Sequence, residues 1–70
     1  MSETYYLYWS AINAFEMQNY GKAIQDSKKA VELDPKSKSL RLALGNFYAG
    51  RGLYEEAIVQ ELKVLEQYPD

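Results

Sequence analysis

Residues 20–35 read YGKAIQDSKKAVELDP, and residues 54–69 read YEEAIVQELKVLEQYP, thirty-four positions further along the chain. At this single offset six residue types coincide without a gap: Tyr, Ala, Ile, Lys, Glu and Pro. The same offset pairs Ala11 with Gly45, outside the two quoted stretches. A fixed period of this length is typical of arrays in which each repeat is one supersecondary unit. The chain is therefore predicted to fold as two equivalent halves.

The first half has the pattern of two helices joined by a turn. The first predicted helix covers about 3–17 and carries an apolar stripe at helical spacing. The second covers about 20–33; Asn19 can cap it by accepting a free backbone N–H, and Pro35 ends it because proline disfavours helix in the residue before it. The predicted core residues are Leu7, Ala11 and Ala14 in the first helix and Ala23, Ile24, Ser27, Ala30 and Val31 in the second.

The second half repeats this arrangement. The third predicted helix covers about 38–50, with Ser37 as its cap and with Leu40, Leu44, Phe47 and Tyr48 at helical spacing. Gly50 and Gly52 are expected to permit the sharp reversal that follows. The fourth helix has Glu55 and Glu56 in its first turn, where the helix dipole favours acidic residues, and it continues to about Gln67.

Small residues recur on the inward stripes of the predicted helices, where they allow two helix axes to approach closely. Glycine inside a helix costs about 1 kcal/mol relative to alanine. Gly45 is therefore expected to mark a close contact between helices. The small inward residues are Ala11, Ala23, Ala30, Gly45 and Ala57.

This pattern resembles the tetratricopeptide repeat family, whose unit is a pair of antiparallel helices in 34 residues. The resemblance implies an all-α fold: two antiparallel helix-turn-helix hairpins stacked as a short right-handed solenoid with no closing cap helix. It also implies one domain over 1–70, with repeat one at about 4–37 and repeat two at about 38–70. The matching residues are Ala11, Ala14, Phe15, Tyr20, Ala23, Ala30 and Pro35 in the first half and Leu44, Gly45, Tyr48, Gly52, Tyr54, Ala57 and Pro69 in the second.

Two pairs of positions depart from the family pattern. Leu7 and Arg41 stand where the family prefers tryptophan or another large residue early in the first helix of each repeat. Ser27 and Glu61 stand where it prefers a large apolar residue midway along the second helix. A slight rotation of the fourth helix is expected to let Leu62 take the place of Glu61.

In this family the first helix of each repeat lines a concave groove that binds peptides or other protein segments. The resemblance therefore implies a protein-binding site with apolar and aromatic character. The basic clamp that some members use for a peptide carboxylate is missing, since only Asn46 matches it. The alternative is that the aromatic row of Tyr5, Tyr8, Ile12 and Phe15 packs against the third helix or against another copy. The predicted groove residues are Tyr5, Tyr8, Trp9, Ile12, Phe15, Leu42 and Asn46, with Ser39, Ala43 and Ala49 beside them.

Arrays of this kind usually end with a closing helix whose outer face is polar. No such helix is expected after the fourth helix. Ile58, Leu62 and Leu65 would then be partly uncovered and form a possible self-association face. Two explanations fit: the chain is an excised piece or a designed sequence, or it binds copies of itself. A dimer or higher oligomer is predicted.

The composition argues against catalysis and metal binding. The chain has no His and no Cys, so the usual general base and the usual zinc ligands are missing. Its net charge is −2, and its aromatic residues lie apart from the basic residues of 20–45, so nucleic acid is not an expected partner. No apolar run approaches the length of a membrane span, and a cytoplasmic location is expected. Two classes remain: an adaptor for a protein or peptide, needing no cofactor, and a self-associating assembly unit.

Overall fold

The computed structural model describes residues 2–69 and contains no β-strand within that range. The first predicted helix ends one residue earlier than expected, and the bounds of the second and third are as predicted. Adjacent helices pack in order along the chain, so two antiparallel hairpins follow one another. The all-α hairpin architecture is therefore confirmed. The four helices are α1 (Glu3–Glu16), α2 (Tyr20–Leu33), α3 (Lys38–Gly50) and α4 (Tyr54–Gln67).

Three of the four helices begin with a side-chain cap. Ser2, Asn19 and Ser37 each accept a hydrogen bond from the backbone N–H three residues later, at 3.2, 3.4 and 3.2 Å. Each bond satisfies one of the N–H groups that a helix leaves unpaired at its start. The caps predicted at Asn19 and Ser37 are thus confirmed. Leu53 precedes α4 and provides no such bond.

The two turns inside the hairpins use the same backbone geometry. Gln18 and Gly52 are 34 positions apart, and they have φ angles of 63° and 85°. Within residues 2–69 no other residue has a positive φ. The sequence prediction for Gly52 is correct. The prediction for Gly50 is wrong, because this residue is the last of α3 and does not form the reversal.

The core joins the two hairpins to each other. One cluster brings Leu7 and Val31 together with Leu40 and Leu44, and so links α1 and α2 to α3. A second cluster places Phe47 among the small residues Ala11, Ala14 and Ala23. All the stripe residues predicted to face the core are buried or half-buried in the structure.

Helix α4 covers the outer side of α3 with small and medium side chains. Ala57 and Val64 are buried there, whereas Leu62 is 55% exposed and Glu61 is also exposed. The expected rotation that would bring Leu62 inward therefore does not occur. The buried stripe of α4 lies on the side of Ala57 and Val64, and Leu62 lies on a different side of the helix.

Arg41 occupies the inward position at which the family pattern has tryptophan or another large residue. It is 8% exposed, and its guanidinium donates to Gln60 Oε1 at 3.1 Å and to the backbone oxygen of Pro35 at 3.2 Å. Its Nε is buried without a hydrogen-bond partner. Arg41 thus ties α3 both to α4 and to the turn between the hairpins.

Candidate functional site

The inner helices α1 and α3 lie side by side. The rings of Phe15 in α1 and Phe47 in α3 have centroids 4.9 Å apart. Half-buried Ile12 and Ala43 pack against the same core cluster from the two helices. The residues predicted to line a groove lie on these two helices and together define the predicted groove surface. We call this surface the inner face, and its residues are Tyr5, Tyr8, Trp9, Ile12, Phe15, Leu42 and Asn46.

Three aromatic rings form a cluster at the first half of α1. Trp9 makes edge-to-face contacts with Tyr5 at 6.0 Å and with Tyr8 at 5.7 Å between ring centroids. Such geometry is favourable for aromatic pairs and holds the rings in place. Tyr5 is 49% and Trp9 47% exposed, whereas Tyr8 packs partly against the core. About half of two large rings therefore faces solvent in a fixed arrangement.

The second half of the aromatic row has a different environment. Phe15 is half-buried, and its ring packs on Phe47 and, at 5.4 Å, on Tyr20. Ile12 is also half-buried against the core. These two side chains contribute to the packing between the hairpins. The row thus passes from an exposed aromatic cluster to residues that support the fold.

Helix α3 contributes a lower surface to the inner face. Leu42 is 39% exposed and Asn46 is exposed, while Ala43 and Ala49 are half-buried. Small side chains at these positions leave the α3 part of the face shallow. The α3 part of the inner face therefore offers one exposed leucine and one exposed amide, whereas the α1 part offers aromatic rings.

An open cleft of about 510 Å³ adjoins the aromatic cluster. Tyr5 and Tyr8 line one side of the cleft, and Ser39 and Leu40 of α3 line another. Its charged residue is Asp34, and no basic residue lines it. Within residues 2–69 no group of three or more acidic side chains could hold a metal ion. The remaining lining residues are Ser2, Thr4, Leu33 and Ser37.

Exposed apolar residues outside the two predicted stripes of α1 line a second cleft. Tyr6 is 68% and Met17 80% exposed, and with Tyr5 and Trp9 they line this cleft of about 580 Å³. Tyr6 and Met17 lie three residues before and eight residues after Trp9, which is a helical spacing. The spacing of these three residues in the sequence is therefore enough to predict a third apolar side of α1. Tyr5 and Trp9 therefore belong both to this cleft and to the inner face.

The predicted self-association residues lie on α4. Ile58, Leu62 and Leu65 are 53%, 55% and 57% exposed. Tyr54, at the start of the same helix, is 65% exposed. These side chains form an apolar stripe on the opposite end of the molecule from Tyr6 and Met17.

Across residues 2–69, no helix has the length and apolar character that a membrane span requires.

Two tandem helical hairpins with a fixed 34-residue offset define a helical repeat protein. The tetratricopeptide repeat family model matches residues 14–70, which is most of the chain. The chain belongs to the tetratricopeptide repeat family. Repeats of this family generally mediate protein–protein interactions and are typically not enzymes. A search of curated proteins finds no match to the chain.

Proposed function

We propose that the chain is an interaction module that binds a peptide or protein segment against its inner face. The observation that carries this proposal is the fixed cluster of Tyr5, Tyr8 and Trp9, with about half of two rings exposed. Large exposed aromatic groups are typical of the residues that dominate binding energy at protein interfaces. Leu42 and Asn46 extend the proposed contact surface onto α3, and half-buried Phe15 packs on Phe47 farther along the row.

The chemistry of the inner face favours an apolar or aromatic segment. The cleft beside Tyr5 and Tyr8 has room for one or two large side chains of a partner. The amide of Asn46 can both donate to and accept from the main chain of an extended segment. Since no basic residue lies among the inner-face residues, the proposed partner does not depend on a terminal carboxylate or a phosphate.

We propose that the two repeats act as one domain, at about 4–37 and 38–70, because the core clusters take residues from both hairpins. Without repeat one, Leu40, Leu44 and Phe47 would be exposed. Without repeat two, the residues of α1 and α2 that pack on them would be exposed. The cytoplasmic location stays a prediction.

The test is a selection of peptides from a random library against the chain, followed by measured affinities. The fluorescence of Trp9, the single tryptophan of the chain, reports on occupancy of the inner face. Tyr5→Ala and Leu42→Ala change exposed side chains, so the fold should remain. We expect each to weaken binding of the selected peptides by about tenfold, the size of a moderate interface contribution.

The matched control is Tyr6→Ala, since Tyr6 is the neighbour of Tyr5 but does not line the cleft beside Tyr5 and Tyr8. It should bind the selected peptides with the affinity of the parent chain. Circular dichroism and thermal unfolding of all three variants check that the helices persist. Equal affinities for Tyr5→Ala, Leu42→Ala and Tyr6→Ala would contradict the assignment of the inner face.

A further inference from the structure

The contact between the two hairpins has sequence equivalents at both ends of the molecule. Within the chain, α2 packs on α3 through Ile24 and Val31, which join the core cluster of Leu40 and Leu44. We call this contact the internal junction. It is the place where the first hairpin meets the second, and the 34-residue offset allows its equivalents to be found at both ends.

The first half of the junction recurs on α4. The offset takes Ile24 to Ile58 and Val31 to Leu65. Val31 is 8% exposed, whereas Leu65 is 57% and Ile58 53% exposed. The exposed positions of α4 are thus equivalent to the positions of α2 that pack against α3. We call Ile58, Leu62 and Leu65 the C-terminal edge.

The second half of the junction recurs on α1. The offset takes Leu40 back to Tyr6 and half-buried Ala43 back to Trp9. Leu40 is 6% exposed, but Tyr6 is 68% and Trp9 47% exposed. Helix α1 therefore leaves open the positions through which α3 meets the first hairpin. We call Tyr6 and Trp9 the N-terminal edge.

We propose that a second copy of this chain docks head to tail, with the N-terminal edge of one copy on the C-terminal edge of the other. The contact between copies would repeat the internal junction in the same register. In that contact α4 of one copy packs on α1 of the next, as α2 packs on α3 within the chain. Such an interface joins two different surfaces, so a bound pair still has one open edge of each kind and can add further copies.

The charges support this register. A cleft of about 150 Å³ beside the internal junction is lined by Glu32 of α2 and Lys63 of α4. The offset takes Glu32 to Glu66 and takes Lys63 back to Lys29. Glu66 of one copy would therefore lie near Lys29 of the next, and the two charges are opposite. The contact of Lys29 with Glu3 at 3.7 Å does not prevent this, because both side chains are 60% exposed and such pairs are weak.

Two polar residues lie beside the N-terminal edge, and they weaken the proposed contact. The offset places Ser10 and Asn13 where α3 has Leu44 and Phe47. Ser10 donates to Asp26 Oδ2 at 2.8 Å within its own hairpin, so its hydroxyl is satisfied. The association should accordingly be weaker than the internal junction and should depend on concentration.

Sedimentation velocity on the 70-residue chain and two edge variants tests the proposal. Ile58→Glu places a charge on the C-terminal edge, and Tyr6→Glu places one on the N-terminal edge; both parent side chains are exposed, so the fold should persist. We expect the parent chain to form growing species with concentration and each variant alone to associate at least tenfold more weakly. An equimolar mixture should form species of two chains, because each variant keeps the edge that the other lacks.

Three outcomes would overturn the proposal. The parent chain could sediment as a single 8.1 kDa species at every concentration tested. Tyr6→Glu alone could associate as the parent does, which would indicate two α4 stripes packed about a twofold axis. The mixture could contain no two-chain species although circular dichroism shows both variants folded.

Charge reversal tests the register separately. Glu66→Lys should weaken association about twofold to fivefold, the range of an exposed ion pair. Adding Lys29→Glu to the same chain should restore it, because each junction again has opposite charges. A double variant no better than Glu66→Lys would overturn the register. None of these substitutions changes an inner-face residue, but Trp9 belongs to both surfaces. Peptide affinity measured on each edge variant at a concentration where it is monomeric therefore separates a failure here from a failure of peptide binding.

Discussion

The ring of Phe15 lies directly on the backbone of Gly50. A Cβ atom built on Gly50 would lie 2.6 Å from Cε1 and 3.1 Å from Cζ of that ring. Since Phe15 is also held by Phe47 and Tyr20, it has little room to move. Gly50 is thus required by the close approach of α1 to the last turn of α3, whereas Gly52 is required by its left-handed φ.

Gly50→Ala should therefore destabilise the chain although alanine is the better helix former. Overpacking of this kind costs about 1–3 kcal/mol. For a chain of this size each kcal/mol lowers Tm by roughly 4–8 °C. Thermal and urea unfolding measure the change. Phe15→Leu should recover part of the loss in the Gly50→Ala background, and a Gly50→Ala chain as stable as the parent would contradict the steric argument.

Gly45→Ala should have the opposite sign. A Cβ on Gly45 would lie 3.5 Å from Gln60 Cβ and 3.6 Å from the backbone oxygen of Ala57, which is ordinary van der Waals contact. Alanine is favoured over glycine inside a helix by about 1 kcal/mol, so we expect a gain of about 0.5–1 kcal/mol. Urea unfolding of Gly45→Ala beside Gly50→Ala provides the comparison. A loss of stability would show that α3 and α4 need the glycine.

The helices and their caps were predictable because the signals are local. Asn19 and Ser37 stand directly before an apolar stripe, and their short polar side chains reach the first free N–H groups. The rotation of α4 was not predictable in this way. An apolar pattern that includes both Val64 and Leu62 describes two sides of a helix, and only the shape of α3 determines which side is covered.

For the inner face, too, the local sequence pattern predicts which residues share a side of the helix but not which of them are buried. Periodicity placed Tyr5 and Phe15 in one row, but their environments differ, because Phe47 and Gly50 cover only the end of the row. No local pattern reveals that Phe47 reaches across to α1. Tyr6 and Met17 lie outside both the core stripe and the groove stripe of α1, so a pattern that predicts two apolar sides for one helix leaves this third side unpredicted.

Gln18→Gly should stabilise the chain. Gln18 has φ of 63°, and its N–H donates to the backbone oxygen of Phe15 at 2.9 Å, as the N–H of Gly52 does to Ala49. The left-handed conformation costs a non-glycine residue about 1–2 kcal/mol, partly offset by the greater entropy of glycine in the unfolded chain. We expect a gain of about 0.5–1 kcal/mol in urea unfolding. Gly52→Ala is the reciprocal variant and should lose stability; a gain there would contradict the argument.

Leu53→Asn should stabilise α4 by supplying its missing cap. Leu53 has φ −92° and ψ 71°, and Asn19, its equivalent in the first repeat, has φ −91° and ψ 75°. The backbone is thus already in the conformation from which Asn19 accepts the N–H of Lys22 at 3.4 Å. An N-cap of this kind contributes about 1 kcal/mol.

Replacing Leu53 also removes a side chain that is 38% exposed, and the lost apolar contact opposes the gain from the cap. Leu53→Ala removes the same contact without supplying an acceptor, so the difference between the two variants isolates the cap. We expect Leu53→Asn to exceed Leu53→Ala by about 0.5–1.5 kcal/mol in the free energy of unfolding. Amide hydrogen exchange should slow at Glu56, whose N–H lies three residues after the new acceptor. Equal stabilities for the two variants would mean that the likeness of the two backbones is not enough to form the bond.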